Sequence, residues 1–471
     1  MLETLTKLIS PLNDFLYYPV LIILLIGLGL YFTVRTGLIQ ITQFKDAVSV
    51  ITEKPAEDDA VSSFQALMVS TASRVGTGNI VGVSTAICLG GYGAVFWMWL
   101  VAIIGGASAF IESTLAQIYK KKGRFGESYG GPAYYIEQAL GQRWLGIIFA
   151  ICLILTYAVG FNMLAAYNLQ DSFRIYSFYN SQISPYLIGG ILALVTCYCI
   201  LGGGQRIIKV TSFLVPFMGL IYVGVALVMI VLNLDYLPTI FKLIFADAFN
   251  FKAIFSGIAG SSMMYGIKRG LYSNEAGIGS APNAAASAQV SHPVKQGLVQ
   301  MISVFIDTLL ICTATAFMCL ASGIAPNPDL SGAPYVQEAL ASAFGPIGPY
   351  FVTLALVLFA FTTLIGNLYY VDNNLAYIFG TTPGRRFMIG YRLLAGLVIF
   401  LGALQEADFA WLAADFMMAL MALINLPTIL ILSKTAINAL ADYKAQRKAG
   451  KDPVFRAKAI GLDPEKLDYW H

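Results

Sequence analysis

The chain has 471 residues, of which 58% are hydrophobic and only 12% charged, with a formal net charge of +3 and a mean hydropathy of +0.71. Soluble globular proteins carry roughly 25% charged residues, so the composition excludes that class and makes the chain an all-α integral membrane protein. All six cysteines (Cys88, Cys152, Cys197, Cys199, Cys312 and Cys319) lie in apolar stretches, where they act as small core residues and no disulfide framework is expected.

At about 20 apolar residues per crossing, the sequence divides into about eleven transmembrane helices. They lie near 16–34, 62–89, 93–118, 144–169, 183–202, 210–233, 252–289, 294–322, 346–379, 387–405 and 409–433. Leu16 to Tyr31 is apolar enough for a secretory leader. Acidic Glu3 and Asp14 nevertheless replace the basic n-region and no small-residue cleavage site follows, so it reads as a retained first span. Ile39 to Lys54 has near-helical apolar spacing and predicts a surface helix. Gly130-Gly131-Pro132 followed by Ala133 to Leu140 predicts a turn and a short interfacial helix ending at Gly141. Basic clusters at Lys120-Lys121-Lys122 with Arg124, at Arg206 and Lys209, at Arg385-Arg386 and through Lys444 to Lys458 alternate with loops poor in Lys and Arg. The positive-inside rule puts these clusters in the cytoplasm, the N-terminus outside and the C-terminus inside; the expected location is the plasma (inner) membrane.

Two of the apolar segments are interrupted. Val61 to Leu89 is broken by Val75-Gly76-Thr77-Gly78-Asn79, and the segment from about Phe251 to Ala288 by the stretch Gly266 to Glu275. Unpaired peptide groups are tolerated in hydrocarbon only where they line a cavity or hold a ligand, and a matched pair of breaks marks a secondary transporter built from inverted repeats. The expected organisation is therefore an extra first span with a cytoplasmic amphipathic segment (1–61) and a first five-helix repeat (62–233). An extracellular connection (234–251), a second, inverted five-helix repeat (252–433) and a polar cytoplasmic tail (434–471) follow, each repeat opening with its broken helix.

The positive end of the half-helix after the first break favours an anion, which makes Thr77, Gly78 and Asn79 candidates for a substrate carboxylate. The alternative is a small-xxx-small packing face of Gly78 and Gly82. Free carbonyls at the second break suit a substrate ammonium, with Tyr272, Ser273 and Asn274 beside the unwinding. Lys268 and Arg269 need water or partners inside the membrane, and Glu275, Glu112 and Asp307 are the carboxylates in reach of that expectation; a structural ion-pair network is the alternative to a role in coupling.

Several long strings resemble the alanine/glycine:cation symporter family: Gly90 to Leu100 (GGYGAVFWMWL), Gly130 to Leu140 (GGPAYYIEQAL), Gly202 to Val215 (GGGQRIIKVTSFLV), Gly270 to Ala286 (GLYSNEAGIGSAPNAAA) and Gly450 to Phe455 (GKDPVF). The resemblance implies the leucine-transporter fold and sodium-coupled uptake of small neutral amino acids. It places Tyr272 at an aromatic pocket wall and Thr362 and Thr363 where sodium symporters of this fold carry adjacent hydroxyls, followed by Leu364 in the substrate pocket. Carried over by the same match, carbonyls of Ala72, Val75 and Phe359 complete a sodium site; the alternative is that both threonines bond their own preceding turn. Two departures bear on the substrate. Asn367 stands where the family has Trp, and the fourth span reads Phe161-Asn162-Met163-Leu164-Ala165-Ala166-Tyr167, without the family's Gln and second Asn. A pocket widened at Asn367 is expected to accept alanine and glycine and to tolerate serine, asparagine or glutamine, unless Tyr167 fills the space.

The expected partners are thus a small neutral amino acid, a co-transported sodium ion and the lipid bilayer, with no nucleic acid, and a monomer is expected to suffice. Proton coupling is the alternative, through Lys268, Glu112 and Asp307. A channel fits less well because there is one paired site and no ring of charges. With His292 and His471 as the sole histidines, no metal cluster or nucleophile–base pair suggests an enzyme.

Overall fold

The computed structural model describes residues 2–55, 60–123, 126–250 and 261–470. Arg124, the start of the second broken segment (251–260) and the side chain of Glu3 lie outside what is described. Among the described residues, all regular structure is helical apart from a two-stranded antiparallel ribbon of β1 (Lys121–Lys122) and β2 (Ser128–Tyr129).

In chain order, α1 (Leu2–Phe15) and α2 (Ile22–Arg35) are joined by a wide turn at Leu16–Leu21, and α3 (Ile39–Thr42) and α4 (Phe44–Ile51) form the surface segment. The first broken segment is α5 (Ser63–Arg74) and α6 (Val83–Gly90), followed by α7 (Ala94–Ile118) and α8 (Pro132–Leu140). Then come α9 (Arg143–Asp171), α10 (Ser184–Ile200), α11 (Gly204–Leu232) and α12 (Leu237–Ala248). The second broken segment is α13 (Ser262–Asn274) and α14 (Pro282–Ala285), and α15 (Pro293–Ala321), α16 (Ala333–Phe344), α17 (Ile347–Phe379), α18 (Arg385–Gly402) and α19 (Ala407–Lys448) complete the set.

Seven helical stretches among the described residues are long and apolar enough to cross a bilayer unaided, beginning at Thr6, Ala94, Arg143, Gly204, Pro293, Ile347 and Ala407. They coincide with seven of the eleven expected spans; those at 62–89 and 252–289 are shorter helices because each is interrupted, 183–202 is the shorter apolar helix α10 and 387–405 is α18, with three arginines in its first eight residues. Outer helices expose large apolar side chains, among them Leu194, Tyr198, Phe213, Leu220 and Leu394, as a lipid-facing surface requires. Inside this shell α7 packs along α13 and α15, while α5 lies between α11 and α17. One connection is itself helical, and one boundary differs from expectation. The connection at 234–251 contains α12, whose Asp247 carboxylate accepts the Gly93 N–H at 2.7 Å, and α19 runs through residue 434 without interruption to Lys448.

Candidate functional site

The first break is built by local hydrogen bonding. Ser62 and Gln65 cap α5 reciprocally, the Ser62 hydroxyl accepting the Gln65 N–H at 3.1 Å and the Gln65 side chain accepting the Ser62 N–H at 2.9 Å. The helix ends at Arg74 because Val75 leaves helical geometry (φ −75°, ψ 87°) while its N–H closes on Thr71 O at 2.7 Å. The Gly76 N–H then turns to Asn79 Oδ1 at 2.8 Å instead of continuing the ladder to Ala72. The Ala72 carbonyl accepts the Thr363 hydroxyl from α17, at 3.2 Å, with Ser73 O at 3.4 Å. Thr77 Oγ1 accepts from the Asn168 amide at 3.0 Å. Asn79 donates to Asp307 Oδ1 at 2.7 Å, and its carbonyl accepts the Thr315 hydroxyl at 2.6 Å.

The second break is displaced from its expected place. The stretch Gly266 to Asn274 is continuous helix, and unwinding occurs at 275–279, where Glu275 (φ 54°), Gly277 (φ 85°) and Gly279 (φ 90°) turn left-handed. Gly266 and Gly270 serve close approach to α7: a Cβ on Gly266 would lie 2.7 Å from Trp97 Cβ, and one on Gly270 2.9 Å from Val101. Tyr272, Ser273 and Asn274 therefore form the last turn before the unwinding. The freed Gly277 N–H donates to Glu112 on α7 at 3.3 Å, and Glu112 also accepts the Asn425 amide at 2.8 Å. Asn425 in turn accepts the Tyr135 hydroxyl. Glu275 accepts the Ser280 hydroxyl at 2.6 Å.

Asp307 joins the two breaks. It sits in a wide turn of α15 at Phe305–Cys312 and accepts from Ser273 at 2.9 Å and Thr308 at 2.7 Å as well as from Asn79. Arg74, wholly buried, lies within electrostatic range of Asp307, Glu112 and Glu275.

Tyr272 also spans the breaks. A Cβ on Gly78 would lie 2.6 Å from its ring, which makes edge contacts with Phe161 (4.9 Å between centroids) and Trp411 (5.1 Å). Asn274 folds back to accept the Ala276 N–H at 3.0 Å.

The expectation for Lys268 and Arg269 is corrected. Their partner is Asp415 on α19, which pairs with Arg269 and lies 2.9 Å from Lys268, while Arg269 also sits 4.0 Å over the Trp411 ring. Glu275, Glu112 and Asp307 are engaged elsewhere. Asp415, like Asn425, interrupts the apolar run 409–433, and a carboxylate at such a place is itself the signal that sequence reasoning missed.

Four of the five expected sodium ligands fall into two pairs, with Val75 in neither. Thr363 is brought to Ala72, whereas Thr362 donates within its own helix to Leu358 O (3.0 Å) and Phe359 O (3.1 Å). Leu364 is buried beside them. Asn367 does not border open space: its Oδ1 accepts the Ser73 hydroxyl at 2.6 Å and its amide donates to Asn162 at 2.9 Å, so it braces α17 against α5 and α9. The Tyr167 hydroxyl donates to Asp171 at 3.4 Å.

Comparison with known proteins places this geometry. The profile of the sodium:alanine symporter family matches residues 2–457. The chain belongs to that family. Relatives include the probable sodium/glutamine symporter GlnT of Bacillus subtilis, 42% identical over 97% of this chain and 94% of its own length. The sodium/alanine symporter AgcS of Methanococcus maripaludis is 37% identical over 94% of this chain and 98% of its own. Among solved structures, MhsT in complex with L-phenylalanine superposes with a TM-score of 0.56 at 14% identity, covering 82% of this chain and 93% of MhsT, which shows the shared leucine-transporter fold. This family member is accordingly a multi-pass membrane protein that couples a cation to amino-acid transport, and it is not an enzyme.

Proposed function

We propose that this sodium:alanine symporter family member takes up small neutral amino acids with sodium by alternating access, rocking one helix bundle against the other around the paired breaks. The observation that carries the reading is the Thr363 hydroxyl on the Ala72 carbonyl, which meets α17 at the point where the first break frees a main-chain oxygen. Sodium prefers such hard oxygen ligands, with Ala72, Val75 and Thr363 as its set; Thr362 and Phe359, bonded to each other within α17, are left out of it. The substrate carboxylate goes to Thr77, Gly78 and Asn79. Its ammonium goes to the last turn of α13 at Tyr272, Ser273 and Asn274, with Leu364 on the α17 side and Asn367 bracing that wall from behind through Ser73 and Asn162.

Alanine and glycine are the proposed principal substrates, with serine, asparagine or glutamine also carried; relatives named for alanine and for glutamine support that range. The N-terminus is proposed to lie outside and the C-terminus in the cytoplasm, and one chain to suffice. The test is uptake into proteoliposomes, with all twenty amino acids as competitors and sodium, lithium or a proton gradient imposed in turn. Uptake driven equally well by a proton gradient without sodium would move the coupling to the second reading, in which Asp307, hydrogen-bonded by Asn79, Ser273 and Thr308, carries the proton.

A further inference from the structure

The polar tail folds back onto the protein. After α19, residues 452–470 turn back across the face of the protein that carries the C-terminus, and Phe455, Leu467 and Trp470 are buried there. Asp452 pairs with Lys295 at 2.9 Å, and the Phe455 N–H donates to Ser291 O at 2.9 Å while the Ser291 hydroxyl donates to Pro453 O at 2.8 Å. Trp470 Nε1 donates to Gln117 O at 2.8 Å, and Asp468 pairs with Lys121 at 2.8 Å. Lys120 lies 4.6 Å over the Tyr469 ring and donates to Ala288 O at 2.9 Å. The segment therefore ties the end of α7 to the 286–292 link and to the first turn of α15.

A polar seam starts directly beneath it. On α15, Gln296, Gln300, Ser303 and Asp307 recur at helical spacing and form one stripe. It faces α5: Gln296 donates to Ser63 at 2.9 Å, Gln300 O accepts from Arg74 at 3.4 Å, and Ser303 meets Thr71 at 3.4 Å. Both side-chain polar atoms of Gln300, the Gln296 carbonyl and two nitrogens of Arg74 are buried without a protein partner. Such atoms favour admission of water whenever the surrounding packing allows it. The seam runs from the tail-side face to Asp307, and Lys295, next to Gln296, is shared between Asp452 of the tail at 2.9 Å and Glu53 at 2.6 Å.

We propose that residues 452–470 are a strap that keeps the α5–α15 seam shut, and that the seam hydrates as the route for cation and amino acid on that side when the strap lifts. The proposal rests on the alternating-access reading, but its first test does not need transport. Hydrogen–deuterium exchange of the purified full-length chain is compared with that of Asp452→Asn/Trp470→Ala and of a chain ended after Lys451. Exchange in 63–74 and 293–300 is expected to rise at least about tenfold in both variants, with α10 and α18 unchanged. Two results overturn the idea: unchanged exchange in 63–74 and 293–300 of the full-length variant while its residues 452–470 exchange freely, or a rise shared equally by α10 and α18.

The converse variant, Ser291→Cys/Phe455→Cys, joins hydrogen-bonded neighbours so that oxidation fastens the strap. Uptake should vanish on oxidation and return with dithiothreitol, with each single cysteine variant as control; uptake that persists with the disulfide formed also overturns the idea. If no amino acid is carried at all, the transport reading fails while the exchange result still decides the strap.

Discussion

Replacing Thr363 by Val separates a hydroxyl that crosses between helices from one that does not. Valine keeps the branched shape, so the change removes one oxygen at the junction of Ala72 (3.2 Å) and Ser73 (3.4 Å) with little repacking. An interaction of a neutral oxygen with a charged group contributes about 1.5–3 kcal/mol. At about 1.4 kcal/mol per factor of ten, the sodium concentration for half-maximal uptake should rise by about 10- to 100-fold. Thr362→Val removes a hydroxyl that serves Leu358 O and Phe359 O, carbonyls already in the helical ladder of α17. Its shift should stay below about threefold on the same scale. The assay is initial-rate alanine uptake into proteoliposomes at fixed alanine over a sodium titration, with Thr363→Ser retaining near-normal dependence. An equal or larger shift for Thr362→Val, or none for Thr363→Val, would refute the assignment of the sodium site to the α5–α17 junction.

Other perturbations test the frame around that site. Asp415→Ala strands Lys268 and Arg269, both largely buried, and should cost about 3–5 kcal/mol; a clear drop in the thermal midpoint of the detergent-solubilised protein is the expected readout, with Asp415→Glu partly restoring it. Gly78→Ala puts a Cβ 2.6 Å from the Tyr272 ring, an overpacking of about 1–3 kcal/mol. Uptake should fall, and Tyr272→Leu should recover part of the lost stability where Tyr272→Phe does not, because the clash is with the ring. Burial pulls His292 below the usual histidine range, in keeping with its Nδ1 accepting the Val294 N–H at 3.2 Å while the other nitrogen faces Asp442. A lowered pKa means that the unfolded chain binds the proton first, so the contribution is complete above about pH 6.5 and is lost on acidification below it. The thermal midpoint should therefore fall between about pH 6.5 and pH 5 more steeply in the unaltered protein than in His292→Asn.

Local chemistry made much of this protein legible from its sequence. Hydropathy over some twenty residues fixes where a helix can cross lipid, because no other arrangement satisfies the backbone there. The first break was readable too, since Val75, Gly76 and Asn79 terminate and re-cap the helix among themselves. The α8 boundaries follow similarly from Pro132 and from Gly141, which closes the helix in left-handed geometry. Position of the second break was decided by tertiary structure. A glycine in a membrane helix can either unwind it or admit a neighbour, and it is the approach of α7 that gives Gly266 and Gly270 the second use and leaves the unwinding to Glu275, Gly277 and Gly279. The same holds for charge. Arg269 and Asp415 are 146 residues apart, and the tail meets α7 at Gln117 across 353; no periodicity connects such pairs, because the desolvation that makes a buried charge require a partner acts through space and is blind to distance along the chain.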